Sequence, residues 1–587
     1  MAFRQISEAP RGPARDSGSA VAPQSQPSRS RSGRRWWERV LAAVVALWLA
    51  GVASATETVT YILRPMPQAG RLEVELSWKT KGRERSALGV SKRWGAIDNV
   101  PKLLSNVRFE GASARRDGPR WLLKHRRGAT VNCWYEVDPR RRAFDWRNTH
   151  TPITTPTFFH GMGNAFLLVP RPAQGESDEY EVILRWELPD GWKAACSWAG
   201  TGRSVGARIK ADDLRHSVYL AGELVTRTVQ DNGRTVAVAM VDAFDFGADE
   251  FARMASTIIR QQCEFMDEKR FPPFVVTAIP VGQALRKGES RLSGAGLYDS
   301  FALFVAPKST LNDAVEHLFA HELFHFWNGR TLAAAEPERI LYWFVEGFTD
   351  YYALRILYES GQWDAQRYAK WINRHIREYH RNPAIHARNE DIAARFWTER
   401  DTVGEVAYQR GLLLGLRWHR LARDQGVSDG LDRLFKALVE RAHQGAFELT
   451  NEAIRTNGVS RLGPWFGPEF DRFVIKAETV AVPEDALRPH LVGQIEPTYE
   501  YQLGFDRDES LAVKRVSGLV PGSAAEKAGL REGDVLASYH IYGDPNKKIE
   551  LHIRRGKLTK TIRYYPRAAR QDVLQFQPAG NVTGSTP

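Results

Sequence analysis

The chain has 587 residues, which is too long for one domain, and its size predicts about three. With 43% hydrophobic and 26% charged residues, its composition is that of an ordinary globular protein and excludes a wholly disordered or membrane-embedded chain. The net charge of +13 would suit a nucleic-acid partner. Part of that charge lies in an arginine-rich leader, however, and no nucleic-acid motif accompanies basic runs such as Lys124–Arg127, so we expect no such partner.

Residues 1–55 have the pattern of a disordered leader followed by a signal peptide. Residues 1–35 are rich in Ser, Pro, Gly and Arg and lack apolar periodicity. The apolar run Val40–Val52 follows three arginines and precedes the small residues Ala53–Ala55, which is typical of a cleavable signal. We expect export to the periplasm or secretion, or a membrane anchor if the segment stays uncleaved. The three cysteines allow at most one disulfide, so no disulfide framework is expected.

Residues 56–230 predict a β-rich domain. Short alternating segments such as Thr58–Leu63, Leu72–Leu76 and Tyr180–Leu184 are separated by loops rich in Gly, Pro and Asp. Beyond about residue 242 the hydrophobic period becomes helical, so residues 231–482 are expected to form a second domain of α+β architecture. Its predicted helices include Phe251–Lys269, Ala365–Tyr379, Val406–Asp424 and Ser428–Glu440.

The segment His321-Glu322-Leu323-Phe324-His325 has the spacing of a zinc site. It lies in a predicted helix, Asp313–Trp327, so the two histidines fall one turn apart on one face. A catalytic zinc takes three protein ligands and keeps its fourth position for water. The third ligand is expected to be Glu346, in a second predicted helix, Trp343–Tyr352. One Zn²⁺ per chain follows.

Three neighbours of these residues have expected roles of their own. Glu322 faces the open coordination position and is the candidate general base, which takes a proton from water and passes it to the leaving amine. Asp350 lies one turn after Glu346 and could accept the free ring N–H of a ligating histidine. His317 cannot reach the same metal, because four residues advance a helix by about 6 Å, so we expect a packed or partly exposed residue.

The C-terminal part predicts a PDZ domain over residues 498–566, after a Pro-containing linker at 483–497. The pattern consists of the loop Leu503-Gly504-Phe505, a strand at Leu511–Val516, a short capped helix, and the turn Gly533-Asp534 into another strand. Backbone amides of the loop could hold a peptide's terminal carboxylate while the strand edge pairs with the peptide. Alternatively, the module only packs against the preceding domain. Residues 567–587 are expected to be a disordered tail.

Taken together, these motifs resemble the glycyl aminopeptidase family of PDZ-containing gluzincin metallopeptidases, with a thermolysin-like catalytic domain. The likeness rests on His321–Asn328, on Glu346–Tyr352 and on the trailing PDZ pattern. It implies that His321, His325 and Glu346 bind zinc and that Glu322 is the base. A further matching segment begins at Tyr408, which the resemblance makes a donor to the oxyanion of the tetrahedral intermediate. A buried structural tyrosine is the alternative.

One segment departs from that family. Relatives carry a Gly-Gly-Leu-Glu-His-like strand that lies along the substrate, and its Glu holds the free amino group. Here the stretch contains Gly294, Gly296 and Leu297, with Tyr298 in place of the Glu and Asp299 after it. Asp299 could take the role by a one-position shift, or the enzyme could cut internally. The overall prediction is a zinc aminopeptidase acting on peptides or proteins. An endopeptidase and a non-catalytic PDZ protein that binds peptide ligands are its rivals.

Overall fold

The computed structural model describes residues 5–8 and 57–581, apart from 82, 139–144, 147, 173–177, 199, 286–289, 446 and 542. Gln5–Glu8 forms a strand that pairs antiparallel with Ser290–Leu297. The expected disorder of residues 1–35 is therefore wrong for these four, which gain backbone hydrogen bonds along a sheet edge. The remainder of the expected leader and signal segment lies outside the described residues.

The chain folds into two compact units. The β-rich unit comprises Gln5–Arg253 and Pro272–Thr310, and the helical unit comprises Met254–Phe271 and Leu311–Pro587. The helix Ala248–Met266 begins in the first unit and ends in the second, close to its predicted bounds. A β-rich N-terminal region followed by a helical region is confirmed. The finer boundaries at residues 230, 482 and 498 stay predictions.

The described residues of the β-rich unit form four sheets. Glu57–Met66 buries every second side chain, among them Val59, Tyr61 and Leu63, as its alternating sequence predicts. The first sheet has the order Ser204–Lys210, Glu179–Trp186, Glu57–Met66, Arg71–Lys79, Thr130–Val137, Leu104–Glu110. The second has the order Val169–Pro170, Arg85–Gly89, Arg120–His125, Ala112–Asp117. The third has Gly200–Thr201, Lys193–Cys196, Val218–Gly222, Phe158–Met162, Ile153–Thr154. The fourth has Gln5–Glu8, Ser290–Leu297, Ser300–Val305, Phe274–Pro280, Arg234–Val241, Leu224–Asp231.

The helical unit surrounds the segment with the histidine motif. Its α-helices up to residue 470 are Asp313–Phe324, Tyr342–Val345, Gly347–Glu359, Ala365–Arg381, Asn389–Arg395, Glu405–Asp424, Asp432–His443, Asn451–Leu462 and Phe466–Phe470. The predictions at Ala365–Tyr379 and Val406–Asp424 agree with this to within two residues. The helix predicted at Ser428–Glu440 begins instead at Asp432, after a turn at Gly430 with φ of 58°. Among the described residues, no helix is long and apolar enough to span a membrane.

Three expectations for the C-terminal part are wrong. Much of the expected linker is strand Leu491–Tyr501, and much of the expected tail is strand Arg567–Pro578; the two pair antiparallel. The backbone N–H and C=O groups of each strand hydrogen-bond to those of the other. Local composition does not predict this pairing, because the two strands are distant in sequence. Where a strand was expected at Leu511–Val516, the structure has the helix Arg507–Val513, because the Asp506 side chain caps it by accepting from the Glu509 N–H.

Other parts of the predicted C-terminal pattern are present. Ser523 caps the helix Ala524–Lys527, and Gly533 turns the chain into strand Val535–His540. That strand belongs to a three-stranded sheet with Ile549–Arg555 and Leu558–Tyr564. Assignment of this module as a PDZ domain stays a prediction.

Candidate active site

The histidine helix, Asp313–Phe324, carries the first part of the candidate site. The Asn312 side chain accepts hydrogen bonds from the backbone N–H groups of Ala314 and Val315 and so caps its start. The predicted end at Trp327 is three residues too late. The chain continues in wider turns over Phe326–Thr331 and leaves helical geometry at Asn328 and at Gly329, where φ is 147°. A glycine suits that backbone because it has no Cβ.

The glutamate helix, Gly347–Glu359, follows the four-residue helix Tyr342–Val345. Helical hydrogen bonding continues across the break, since the Glu346 N–H donates to Tyr342 O and the Asp350 N–H donates to Glu346 O. The predicted helix over Trp343–Tyr352 is thus present in two segments, and both acidic residues face its buried side.

The structure brings His321, His325 and Glu346 together in the way a metal site requires. His321 Nε2 lies 3.2 Å from His325 Nε2 and 3.3 Å from Glu346 Oε2, and the third side of this triangle is 3.5 Å. Tetrahedral zinc with bonds of about 2.0–2.2 Å separates its ligand atoms by about 3.3–3.6 Å. All three residues are buried, and among the described residues they are the one cluster of this kind. The donor set therefore fits zinc.

Both histidine rings are oriented by hydrogen bonds at their other nitrogen. His321 Nδ1 lies 2.8 Å from Asp350 Oδ1, and His325 Nδ1 lies 2.8 Å from the Asn328 backbone oxygen. With acceptors at Nδ1, each ring carries its hydrogen there and leaves the Nε2 lone pair for a metal. The position of Asp350 agrees with the role expected for it.

The electrostatics of the site favour positive charge between the three residues. Burial by itself lowers the pKa of His321, but the carboxylates of Asp350 and Glu346 outweigh burial and raise it to about 10. Burial by itself raises the pKa of Glu346, but the His325 and His321 side chains outweigh burial and lower it. A metal cation and protons therefore compete for the same place.

A close helix crossing places Tyr408 beside His321. Tyr408 lies on the tyrosine helix, Glu405–Asp424, and its ring centroid is 6.0 Å from that of His321. A Cβ on Gly411 would lie 1.8 Å from Trp343 O, and one on Gly347 would lie 2.4 Å from the Gly411 Cα. Only glycines allow this approach. Tyr408 is fully buried near the candidate ligands, as both a catalytic and a structural role require.

Asn328 has a function that the sequence reasoning missed. Its side-chain nitrogen donates to the backbone oxygens of Phe344 and Val345 and to the Thr349 hydroxyl, while its backbone oxygen accepts from His325. The buried Asn328 amide thus hydrogen-bonds the end of the histidine helix to the segment that contains Glu346. The position of Asn328 at the end of the motif His321–Asn328 was the one sequence signal for this role. The contacts themselves could not be predicted, because Phe344, Val345 and Thr349 are distant in sequence.

Glu322 and His317 both lie buried on the histidine helix. Glu322 lies between His321 and His325 in the sequence. Its exposed fraction is 4%, so its carboxylate is buried. His317 is completely buried, with its ring 4.5 Å from that of Trp371 and its Nε2 3.0 Å from Asp350 Oδ1. The expectation of packing is confirmed, and that of partial exposure is wrong, because Asp350 and Trp371 cover the ring.

The candidate substrate-binding residues belong to the β-rich unit. Gly294, Gly296 and Leu297 lie in strand Ser290–Leu297, which pairs with Ser300–Val305. Tyr298 and Asp299 form the turn between the two strands. The Tyr298 N–H donates to His216 O, and Asp299 is buried at φ of 43°. The predicted strand is present, and the substrate-binding role of these residues stays a prediction.

The candidate carboxylate loop in the C-terminal module packs inward. Leu503 and Phe505 belong to the core of the module, and Gly504 lies at φ of 86°, where a Cβ would come within 2.9 Å of the Ser523 hydroxyl. The strand edge expected to pair with a peptide is the helix Arg507–Val513 instead. A peptide ligand at this loop stays a prediction.

Comparison with known proteins connects this geometry to a family. Residues 314–411, which include the candidate ligands, Glu322 and Tyr408, match the M61 glycyl aminopeptidase family. The resemblance to the glycyl aminopeptidases is confirmed. It supports peptidase chemistry for the site that this segment builds. No curated protein matches the chain significantly by sequence.

Solved structures show a shared fold. An aminopeptidase N family protein from Idiomarina loihiensis matches with a TM-score of 0.65 and 17% identity, over 90% of this chain and 100% of that chain. An M1 zinc metallopeptidase mutant from Deinococcus radiodurans, bound to a Tyr-Ser-Ala substrate, matches with a TM-score of 0.44 and 16% identity over 73% of this chain and 95% of that chain.

Proposed function

We propose that this chain is a zinc-dependent peptidase that removes residues from the N-terminus of peptide or protein substrates. The observation that carries the proposal is the buried triangle of His321 Nε2, His325 Nε2 and Glu346 Oε2, whose sides of 3.2–3.5 Å suit tetrahedral zinc. The family match over residues 314–411 supports the peptidase part. We also propose that the protein is exported, because the sequence before residue 56 has the pattern of a signal peptide.

Each residue of the site has a defined role in peptide hydrolysis. Zinc held by His321, His325 and Glu346 would supply a Lewis acid that makes water nucleophilic at neutral pH. Glu322 accepts a proton from the attacking water and delivers it to the amine nitrogen as the C–N bond breaks. The Tyr408 hydroxyl donates a hydrogen bond to the carbonyl oxygen as negative charge develops there.

The aminopeptidase part depends on how the free amino group is held. Tyr298 stands where relatives carry a carboxylate, and a phenol cannot neutralise an ammonium. Asp299, the next residue, supplies a carboxylate in the same turn. A charge-assisted contact of this kind contributes about 1.5–3 kcal/mol, or roughly ten- to over a hundredfold in specificity.

Cleavage of matched peptides with free and acetylated N-termini tests the substrate class. An aminopeptidase cuts the free peptides and leaves the acetylated ones. Asp299→Asn should weaken cleavage of the free peptides by about tenfold or more without improving cleavage of the acetylated ones. Efficient cleavage of acetylated peptides by the unaltered protein would exclude the aminopeptidase and favour an endopeptidase, with the metal site unaffected.

A separate variant tests the role of Tyr408. Tyr408→Phe keeps the ring and removes the hydroxyl, so it should lower kcat more than it raises KM, as expected for a contact made mainly in the transition state. An unchanged kcat would return Tyr408 to a structural role. The rival of a non-catalytic peptide-binding protein predicts no hydrolysis at all.

A further inference from the structure

One sheet of the β-rich unit has an exposed face with a large excess of positive charge. Its outward side chains include Arg85 from Arg85–Gly89, Arg120 and Lys124 from Arg120–His125, and Arg115 from Ala112–Asp117, all of them exposed. The opposite face buries Leu88, Trp121 and Leu123 in the core of the unit. We call the four cations and the surface between them the basic face.

A fifth cation crosses this face. A Cβ on Gly89, which points the same way as Arg85, would lie 2.7 Å from Arg171 Nε. The Arg171 side chain therefore occupies the space above Gly89. Burial, and to a smaller extent the nearby Arg120 guanidinium, lower the pKa of Arg171.

The charge of the basic face is not balanced within the described residues. Arg85 and Lys124 are direct cross-strand partners, a pairing of like charges that destabilises a sheet. Asp117, opposite Arg120 on the neighbouring strand, is the one carboxylate that the three long strands place on this face. An anionic partner would neutralise these cations and so explain why the surface keeps repelling charges.

The shape and composition of the face favour a lipid surface over a nucleic acid. The face is an open sheet without an exposed aromatic side chain on which a base could stack. Leu122, 36% exposed, lies between Ala87 and Arg115 in the middle of the cations. An apolar side chain ringed by cations suits the headgroup region of a bilayer, where cations meet anionic headgroups and apolar groups insert.

The strand Glu57–Met66 begins near this face. Glu57 follows directly after the segment predicted as a signal or anchor, and its carboxylate accepts from the Lys81 N–H at 2.9 Å and lies 3.2 Å from Arg83. Arg83 precedes Arg85 by two positions. The strand that begins at Glu57 therefore contacts the segment that leads into Arg85–Gly89, the first strand of the basic face.

We propose that the basic face is a docking surface for anionic phospholipid headgroups. It would hold the peptidase against an anionic membrane, and its function does not depend on the chemistry at the metal site. Each cation near such a surface contributes about fivefold to binding, so the four together contribute about 600-fold.

The experiment compares the full chain with a basic-face variant on vesicles. The variant carries Arg85→Gln, Arg115→Gln, Arg120→Gln and Lys124→Gln. A control variant removes four exposed cations from other strands and loops of the same unit, Arg185, Lys193, Arg203 and Lys210, also to Gln. All three proteins retain the leader, so any insertion by the apolar segment is common to them.

Binding is measured by sedimentation with neutral phosphatidylcholine vesicles and with vesicles containing about 30 mol% phosphatidylglycerol. The unaltered chain and the control should bind the anionic vesicles more tightly than the neutral ones, and the gain should vanish near 1 M salt, where the Debye length is about 3 Å. The basic-face variant should lose about 600-fold of that gain.

Three results would overturn the proposal. One is equal binding of the unaltered chain to neutral and anionic vesicles, which would leave at most the apolar segment as a membrane contact. Another is an equal gain for the basic-face variant. Salt-sensitive binding to duplex DNA without binding to anionic vesicles would also reject the lipid partner, in favour of a nucleic acid.

Discussion

The Asp350 carboxylate oxygen that lies 2.8 Å from His321 Nδ1 also lies 3.0 Å from His317 Nε2. One buried oxygen thus faces two histidines of the same helix, and the second histidine, His317, is not a candidate ligand. At this distance His317 interacts electrostatically with the carboxylate that faces His321, so we expect His317 to influence a metal bound at His321 through Asp350.

His317→Phe should therefore weaken zinc binding. The variant keeps an aromatic ring against Trp371 but removes the nitrogen that faces Asp350. Loss of such an outer partner costs about 10- to 100-fold in metal affinity. Competition with a chromogenic chelator measures the change, and the absorption spectrum of the Co²⁺ protein reports the ligand geometry. Trp371→Phe, which disturbs the packing alone, should bind zinc normally. Equal affinities for wild type and His317→Phe would contradict the coupling.

Glu322→Gln should keep zinc and lose activity. The amide has nearly the shape of the carboxylate but cannot accept a proton from water. Loss of a general acid–base group lowers the rate by about 10² to 10⁴. Metal analysis and peptide hydrolysis on the same sample separate the two effects. His325→Ala and Glu346→Ala are the matched controls, because each should lose the metal. Turnover of Glu322→Gln within a few-fold of wild type would remove Glu322 from the mechanism.

Asn328→Ala should weaken the metal site without removing a ligand. The variant leaves the backbone acceptor for His325 in place but deletes the side-chain bonds to Phe344, Val345 and Thr349. The segment that contains Glu346 is then less well fixed in position, so zinc affinity should fall by about tenfold or more. Chelator competition measures it. Arg330→Ala, at an exposed position two residues on, should behave like wild type. Similar losses in both variants would point to a general effect of the loop.

Deletion of residues 567–587 should destabilise the protein. The strand Arg567–Pro578 buries Val573, Leu574 and Phe576, and its backbone at Phe576 exchanges two hydrogen bonds with the Asn373 side chain. Each lost apolar side chain removes about 1.5–3 kcal/mol of burial. Thermal unfolding should show a clear fall in Tm. Deletion of residues 582–587 alone should leave Tm unchanged. If the two deletions behave alike, the strand contributes nothing measurable.

Acid should destabilise the β-rich unit through His160. Burial, and then His150, lower the pKa of His160 from 6.5 to about 3, and neither ring nitrogen has a partner among the described residues. The unfolded chain binds a proton below pH 6.5 and the folded chain does not. Stability is therefore full above pH 6.5 and falls, by up to about 1.4 kcal/mol per pH unit, as the pH drops toward 3.

Urea unfolding at about pH 7.5 and pH 5 tests this contribution. His160→Phe should lose less stability between the two pH values than wild type does, because the variant has no group to protonate there. The exposed His443→Gln serves as the control and should lose as much as wild type. A His160→Phe variant as acid-sensitive as wild type would show that other groups dominate.

Local sequence patterns predicted the elements that depend on neighbours in the chain. Period-2 and helical patterns predicted the strand Glu57–Met66 and the helices Ala365–Arg381 and Glu405–Asp424 to within a few residues, since burial of one face imposes those periods. The spacing of His321 and His325 on a helix, and Glu346 on the next, followed from the same geometry.

Tertiary structure decided what depends on partners distant in sequence. Arg567–Pro578 is a strand because Leu491–Tyr501 pairs with it, and its local composition predicts disorder. The crossing of Gly347 and Gly411 brings Tyr408 to His321, and Asn328 joins the two ligand segments. These contacts form between chain segments whose separation is set only by folding, so no local pattern of residues contains them.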